Sequence, residues 1–356
     1  MRHATGYRFT EPGGPATRFD FTRRDLRPDD IAVHITHCGV CHTDLHTVKN
    51  PDGQFPTTPG HEFVGVVSAI GSEVTAFTVG DPVAVGNIVD SCGTCDMCHA
   101  SQENFCRDIP TLTYGGADRV DGTTTIGAYS DEYIVRERFT YHRPEHLDPS
   151  AVAPLMCAGV TVWEPLRSNG VGPGSRVGVA GIGGLGHLAV KFARALGADV
   201  TVFTTSAAKA VDAEALGAHR SVISTDPEAM ATATGTLDLV IDCIPVEHDV
   251  APYLRVLALD GTLCTVGHLG PVAVETLDLL IGRKSLSSAG SGGTAYTQDM
   301  LDFCGEHGIT ADVETLTSAQ VDVAFERLDK GDVRYRFVLD MSDLGSTSLP
   351  TQPPTR

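Results

Sequence analysis

Four cysteines, Cys92, Cys95, Cys98 and Cys106, recur as C-x2-C-x2-C-x7-C. Thiolates at this spacing on one loop can wrap a tetrahedral Zn²⁺ with little ordering cost. No position is left for water, so the spacing predicts a structural metal site. A second set of metal-capable side chains is dispersed. GVCHTDLH offers Cys41, His42, Thr43, Asp44 and His46; GHEFVGVV sets His61 beside Glu62 at the mouth of a strand; PLMCAG adds Cys157. Cys41, His61 and Cys157 together would supply two thiolates and one imidazole, the three protein ligands of a catalytic zinc with its fourth position open. Spacing alone does not say whether these segments converge.

A third chemical signal is GVAGIGGLGHLAV, whose Gly181, Gly183, Gly184, Leu185 and Gly186 fit G-x-G-x-x-G. It follows a strand-like run and opens a helix, the context in which backbone N–H groups approach a pyrophosphate. Where the next strand ends, an NAD site carries Asp or Glu for the ribose 2′-hydroxyl. Here the chain reads FTTSAAK, with Thr204, Thr205, Ser206 and Lys209. Hydroxyls and a cation suit a 2′-phosphate, which points to NADP(H). The same Thr and Ser can also cap the next helix.

These residues need elements to hold them. Residues 28–90 read as short β-rich segments broken by Gly and Pro, and residues 91–125 as a loop. From Gly174 onward, strand-like and helix-like runs alternate, which implies a parallel sheet covered by helices. APYLRVLALDG, DMLDFCGEHG and SAQVDVAFERLDKG read as helices, YRFVLDM as a closing strand, and residues 346–356 as a disordered tail. Cys38, Cys243, Cys264 and Cys304 read as core packing.

The chain has 356 residues, enough for about two domains. Its formal charge of −19 opposes binding to nucleic acid or anionic membranes. No apolar run approaches the ~18 residues of a membrane span, and the polar N-terminus is unlike a secretory signal. Ten cysteines without such a signal fit a cytoplasmic, metal-binding chain.

With GVCHTDLH, GHE-x2-G-x5-G-x2-V, the four-cysteine loop, PLMCAGVTVWEPL, GIGGLGH and AFERLDKGDVRYRFVLD in view, the chain resembles the zinc-dependent medium-chain alcohol dehydrogenases. It is most similar to the cinnamyl alcohol dehydrogenase branch and its bacterial NADP-dependent aldehyde reductase relatives. The resemblance implies an α/β chain. A GroES-like β-barrel catalytic domain would comprise residues 1–154 and a return segment 296–345, around a Rossmann domain at 155–295. It implies Cys41, His61 and Cys157 as catalytic zinc ligands, and a structural zinc on the cysteine loop. Asp44 would orient the zinc histidine, Glu62 would stand beside the metal, and Thr43 and His46 would relay a proton. It also implies a homodimer acting on small alcohols and aldehydes. Plant lignin-pathway members carry aromatic rings at the positions of Leu112 and Gly290. Their absence here implies a wider pocket, taking aromatic and medium-chain aldehydes. Two rival readings are an NAD-dependent zinc alcohol or formaldehyde-type dehydrogenase, and a zinc- and NADPH-binding regulator without catalysis.

Overall fold

The computed structural model describes residues 1–344, so the tail expected at 346–356 lies outside the described residues. The chain forms two compact units, one from Met1–Met156 with the segment beginning at Asp312, the other from Cys157–Ala311.

In the first unit the strand Asp30–Val40 is the organiser. Its sequence, DIAVHITHCGV, is apolar at most positions, and most of its residues are buried. Such a strand belongs in a sheet interior, where both faces are covered. It pairs antiparallel with Phe63–Ile70 on one side, and with Glu132–Arg136 and Arg336–Asp340 on the other. Pro82–Val85 and Tyr141–His142 extend the sheet at one end, and Val313–Thr317, parallel to Arg336–Asp340, at the other. Ile31, Val33, Phe63, Val67, Phe337 and Leu339 form part of one buried core. The closing strand expected from YRFVLDM is therefore present, and it lies directly against the strand that leads into Cys41. The loop expected at residues 91–125 contains a short helix, Asp96–His99, and a strand, Thr111–Leu112, paired with Ile88–Asp90.

In the second unit six strands run parallel: Arg176–Ala180, Asp199–Thr204, Arg220–Ile223, Leu237–Asp242, Leu257–Thr265 and Ser285–Ser288. Numbered in chain order they lie 3-2-1-4-5-6 across the sheet. This is the doubly wound order, whose ligand crevice opens where the order reverses, at the carboxyl ends of the first and fourth strands. One expected element differs. APYLRVLALDG is helical only over Ala251–Val256, and from Leu257 the chain is extended and pairs with Leu237. Sheet pairing overrides the local preference of LAL for helix. Cys243, Cys264 and Cys304 are buried, as expected of core residues. Among the described residues, no helix is long and apolar enough to cross a membrane.

Candidate active site

The helix His42–Lys49 begins at Cys41, which occupies its N-cap. Asp44, three residues on, accepts the Cys41 backbone N–H at 3.1 Å, closing the first turn. The Cys41 sulfur therefore stands at the positive end of a helix, which favours thiolate. Thr43 Oγ1 lies 3.6 Å from Cys41 Sγ. Thr43 and His46 are both exposed, and being three residues apart they share one face of the helix.

His61 and Glu62 immediately precede the strand Phe63–Ile70. His61 Nδ1 is 2.9 Å from Asp44 Oδ1, which leaves Nε2 for a metal. Burial pulls the imidazole pKa down, but the charge and hydrogen bond of Asp44, with Cys41, more than offset this and hold it well above its usual value. A metal must displace that proton to bind. Glu62 is fully buried and its Oε1 receives the Arg336 guanidinium. Burial raises its carboxyl pKa to about 7, against the opposing pull of Arg336. Its Oε2 has no hydrogen-bond partner among the described residues. Gly39 makes room for the pair, because a Cβ there would stand 2.3 Å from Glu62 Oε1.

Cys157 follows directly on the 3₁₀ turn Ala153–Met156, at the foot of the helix Ala158–Ser168. The donor atoms of Cys41, His61 and Cys157 all lie within 4.8 Å of one another. Ligands of one tetrahedral zinc stand roughly 3.3–3.8 Å apart at ordinary bond lengths, so the set fits a zinc ion with one position open. Cys38 is outside it. Its thiol is fully buried and pushed well up by burial, which makes it inert.

The loop cysteines form a second group. Cys92, Cys95, Cys98 and Cys106 offer four sulfurs within 4.8 Å of one another. The Cys95 backbone N–H donates to Cys92 Sγ, and the Cys92 N–H to Cys106 Sγ, both at 3.4 Å. Backbone N–H groups of Thr94 and Cys95 pull the Cys92 thiol down to about 6. Arg138 braces the loop through the Cys98 carbonyl and Glu103.

In the second unit the glycine loop joins the first strand to the helix Gly186–Ala195. Gly181 has φ +87°, and a Cβ on Gly186 would stand 2.0 Å from the Gly181 carbonyl oxygen, so neither position admits a side chain. Space around Gly183 is open, which fits a close backbone approach by a pyrophosphate. Gly184 and the N-cap residue Leu185 complete the turn. His187 is buried, with Nδ1 3.0 Å from the Gly183 carbonyl, and locks the loop. At the end of the second strand Thr205 and Lys209 are exposed, while Ser206 accepts the Lys209 N–H at 3.3 Å as N-cap. Thr204, the last residue of that strand, is more enclosed than Thr205 and Ser206 after it. Its hydroxyl is buried and has no hydrogen-bond partner among the described residues.

Two participants escaped sequence reading. Arg336 opens a strand of otherwise apolar character, and a charge at a core position was the available signal. Tyr129, whose hydroxyl reaches Asp44, lies in IGAYSDEY, where nothing local marks it.

Comparison with known proteins agrees with this geometry. Residues 27–145 match the family described as Alcohol dehydrogenase GroES-like domain, and residues 184–306 match Zinc-binding dehydrogenase. A probable mannitol dehydrogenase of Medicago sativa is 45% identical over 345 residues, covering 96% of this chain and 95% of that protein. NADP-dependent alcohol dehydrogenase C 1 of Mycolicibacterium smegmatis is 43% identical over 352 residues, covering 97% of this chain and all (100%) of that one. A solved cinnamyl alcohol dehydrogenase of Sorghum bicolor superposes with TM-score 0.92 at 41% identity, covering 99% of this chain and 100% of that one. The α/β architecture is thus a GroES-like domain joined to a Rossmann-type domain, and the chain is an oxidoreductase belonging to the zinc-binding alcohol dehydrogenase family.

Proposed function

We propose that the chain transfers hydride reversibly between NADP(H) and primary alcohols or aldehydes, with reduction of aromatic and medium-chain aldehydes as its main work. The observation that carries this reading is the meeting of Cys41, His61 and Cys157 within 4.8 Å, backed by Asp44 and flanked by Thr43. Zinc held there supplies Lewis acidity toward a substrate oxygen, and bound nicotinamide supplies or accepts the hydride. The chain's own residues do the rest. Thr43 Oγ1 accepts the alcohol proton as it gives up its own, and His46, one turn along the same face, hands a proton to solvent. Asp44 holds the His61 ring in the tautomer that leaves Nε2 free.

A second zinc on Cys92, Cys95, Cys98 and Cys106 braces the loop. Choice of NADP(H) rests on Thr205, Ser206 and Lys209, with no carboxylate at that strand end, and is supported by the NADP-dependent Mycolicibacterium relative. A broad substrate range is supported by the absence of bulky aromatic rings at Leu112 and Gly290. Homodimerisation is supported by the outermost strand Ser285–Ser288, all four of whose residues are exposed, and by exposed Leu277, Leu280 and Ile281 just before it. Ten cysteines, six of them grouped as metal ligands, fit the cytoplasm.

The test follows nicotinamide absorbance with NADPH and NADH, using cinnamaldehyde and benzaldehyde, with zinc measured on the same sample. Turnover with NADPH and two zincs per chain is the expected result. Turnover confined to NADH would replace the cofactor assignment. Absence of turnover at full zinc content would favour a zinc- and NADPH-binding regulator.

A further inference from the structure

We propose that Tyr129 is a positioning residue for the metal-binding histidine, its hydroxyl locking the carboxylate that fixes His61; this rests on reading Cys41, His61 and Cys157 as zinc ligands. Asp44 is fully buried, and donors reach both oxygens of its carboxylate. Oδ1 accepts the Gly60 N–H at 3.1 Å and faces His61 Nδ1 at 2.9 Å. Oδ2 accepts the Cys41 N–H at 3.1 Å and the Tyr129 O–H at 3.2 Å. An ionised carboxylate has about four lone-pair sites, so these donors hold it from both oxygens, and the Tyr114 hydroxyl also hydrogen-bonds this carboxylate.

The donors differ in origin. Cys41, Gly60 and His61 belong to the segments that carry the ligands and move with them. Tyr129 comes from 85 residues away along the chain from Asp44, and its backbone is anchored both to the segment before His61 and to the N-terminal strand. Its backbone N–H donates to the Pro59 carbonyl at 3.0 Å and its carbonyl accepts the Tyr7 N–H at 2.8 Å. Its ring is fully buried, lies against Gly60 and has its centroid 6.2 Å from that of Phe325. A Cβ on Gly60 would stand 2.7 Å from Tyr129 Cδ1, so the ring seats against bare backbone beside His61. The hydroxyl thus ties the Asp44–His61 unit to a wall that carries no ligand. Without it Oδ2 loses its tie to that wall, and the carboxylate can turn about its own bond, taking the imidazole with it.

The test compares wild type with Tyr129→Phe, which keeps the ring, and Tyr133→Phe. Tyr133 is a buried control whose hydroxyl donates to the Thr113 carbonyl at 2.7 Å. Zinc per chain and chelator-competition affinity are measured for each site, with Cys41→Ser marking the zinc that belongs to the dispersed site. Tyr129→Phe should weaken that zinc about tenfold or more, the usual cost of losing an outer partner, and leave the loop zinc unchanged. Tyr133→Phe should leave both unchanged. Equal affinities in wild type and Tyr129→Phe would overturn the proposal. Failure of Tyr129→Phe to fold, or loss of both zincs together, would also overturn it, by assigning the hydroxyl to the fold at large. A Cys41→Ser chain with the wild-type zinc count would instead overturn the ligand reading underneath.

Discussion

The carboxylate of Glu62 and the guanidinium of Arg336 form an ion pair closed off from water, although 274 positions separate them in the chain. Glu62 is 0% exposed and Arg336 6%. A buried carboxylate beside a thiolate ligand is costly to keep ionised, and Arg336 lowers that cost. The pair also joins the last described strand of the first unit to the segment that carries His61.

Removing one partner should therefore cost far more than removing both. Arg336→Met is expected to lose about 3–5 kcal/mol, because it leaves an uncompensated buried carboxylate. Adding Glu62→Gln to it should restore much of the loss. Urea unfolding of the two single variants and the double variant measures the coupling; additive losses would show that the pair is not a unit.

Thr43 should matter to the reaction and not to the metal. Thr43→Ala is expected to lower kcat by about 10²- to 10⁴-fold, the usual worth of a positioned proton acceptor. Thr43→Ser should keep most of the rate. Steady-state rates with zinc content on the same samples decide this, and a Thr43→Ala enzyme near wild-type rate would exclude the hydroxyl from the proton path.

Removing one loop thiol should act locally. Cys95→Ser is expected to reduce zinc by one per chain and to open the segment around Cys92–Cys106 to proteolysis, since the loop has few apolar residues to order it. Limited proteolysis read by mass spectrometry checks this. An unchanged cleavage pattern would mean that Arg138 and the local hydrogen bonds hold the loop without metal.

Asp118 carries a pH signature. Burial raises its carboxyl, but hydrogen bonds from Arg27 and the N–H groups of Val120 and Asp121 outweigh this and bring it down to about 2. That lies below the roughly 3.9 of an unfolded Asp, so its stabilisation is complete above about pH 4 and is lost as pH falls through the folded value. Asp118→Asn should cost about 1 kcal/mol near neutrality, allowing for solvent screening of a partly exposed pair. Urea midpoints of wild type and variant should differ by a constant amount from pH 7 to about 4.5 and converge below it. A difference that does not change with pH would remove Asp118 from the acid response.

The features legible in the sequence are those whose partners are near in the chain. Cys92 to Cys106 form one group, and the glycine loop needs only its flanking strand and helix. Cys41 and Asp44 share one helical turn. What could not be read depends on long-range placement. Tyr129 reaches Asp44, and Arg336 reaches Glu62, through the pairing of distant strands. The burial of Thr204 could not be read either, because its strand, DVTVFT, is buried on both faces and alternation does not reveal which way a hydroxyl points. The helix expected through Leu257 failed for a related reason: its last residues are claimed by a neighbour in the sheet.

The place of Arg336–Asp340 beside Asp30–Val40 also sets a timetable. A ribosome adding about 5–20 residues per second needs roughly 15–60 s to make the ~300 residues between these strands. During synthesis the whole parallel-sheet unit emerges before the first unit receives its closing strand. Glu62 waits through that interval without its cation. A nascent chain stalled before Arg336 therefore holds an unfinished sheet with an unpaired strand edge, the form most open to chaperone capture and to association with other nascent chains.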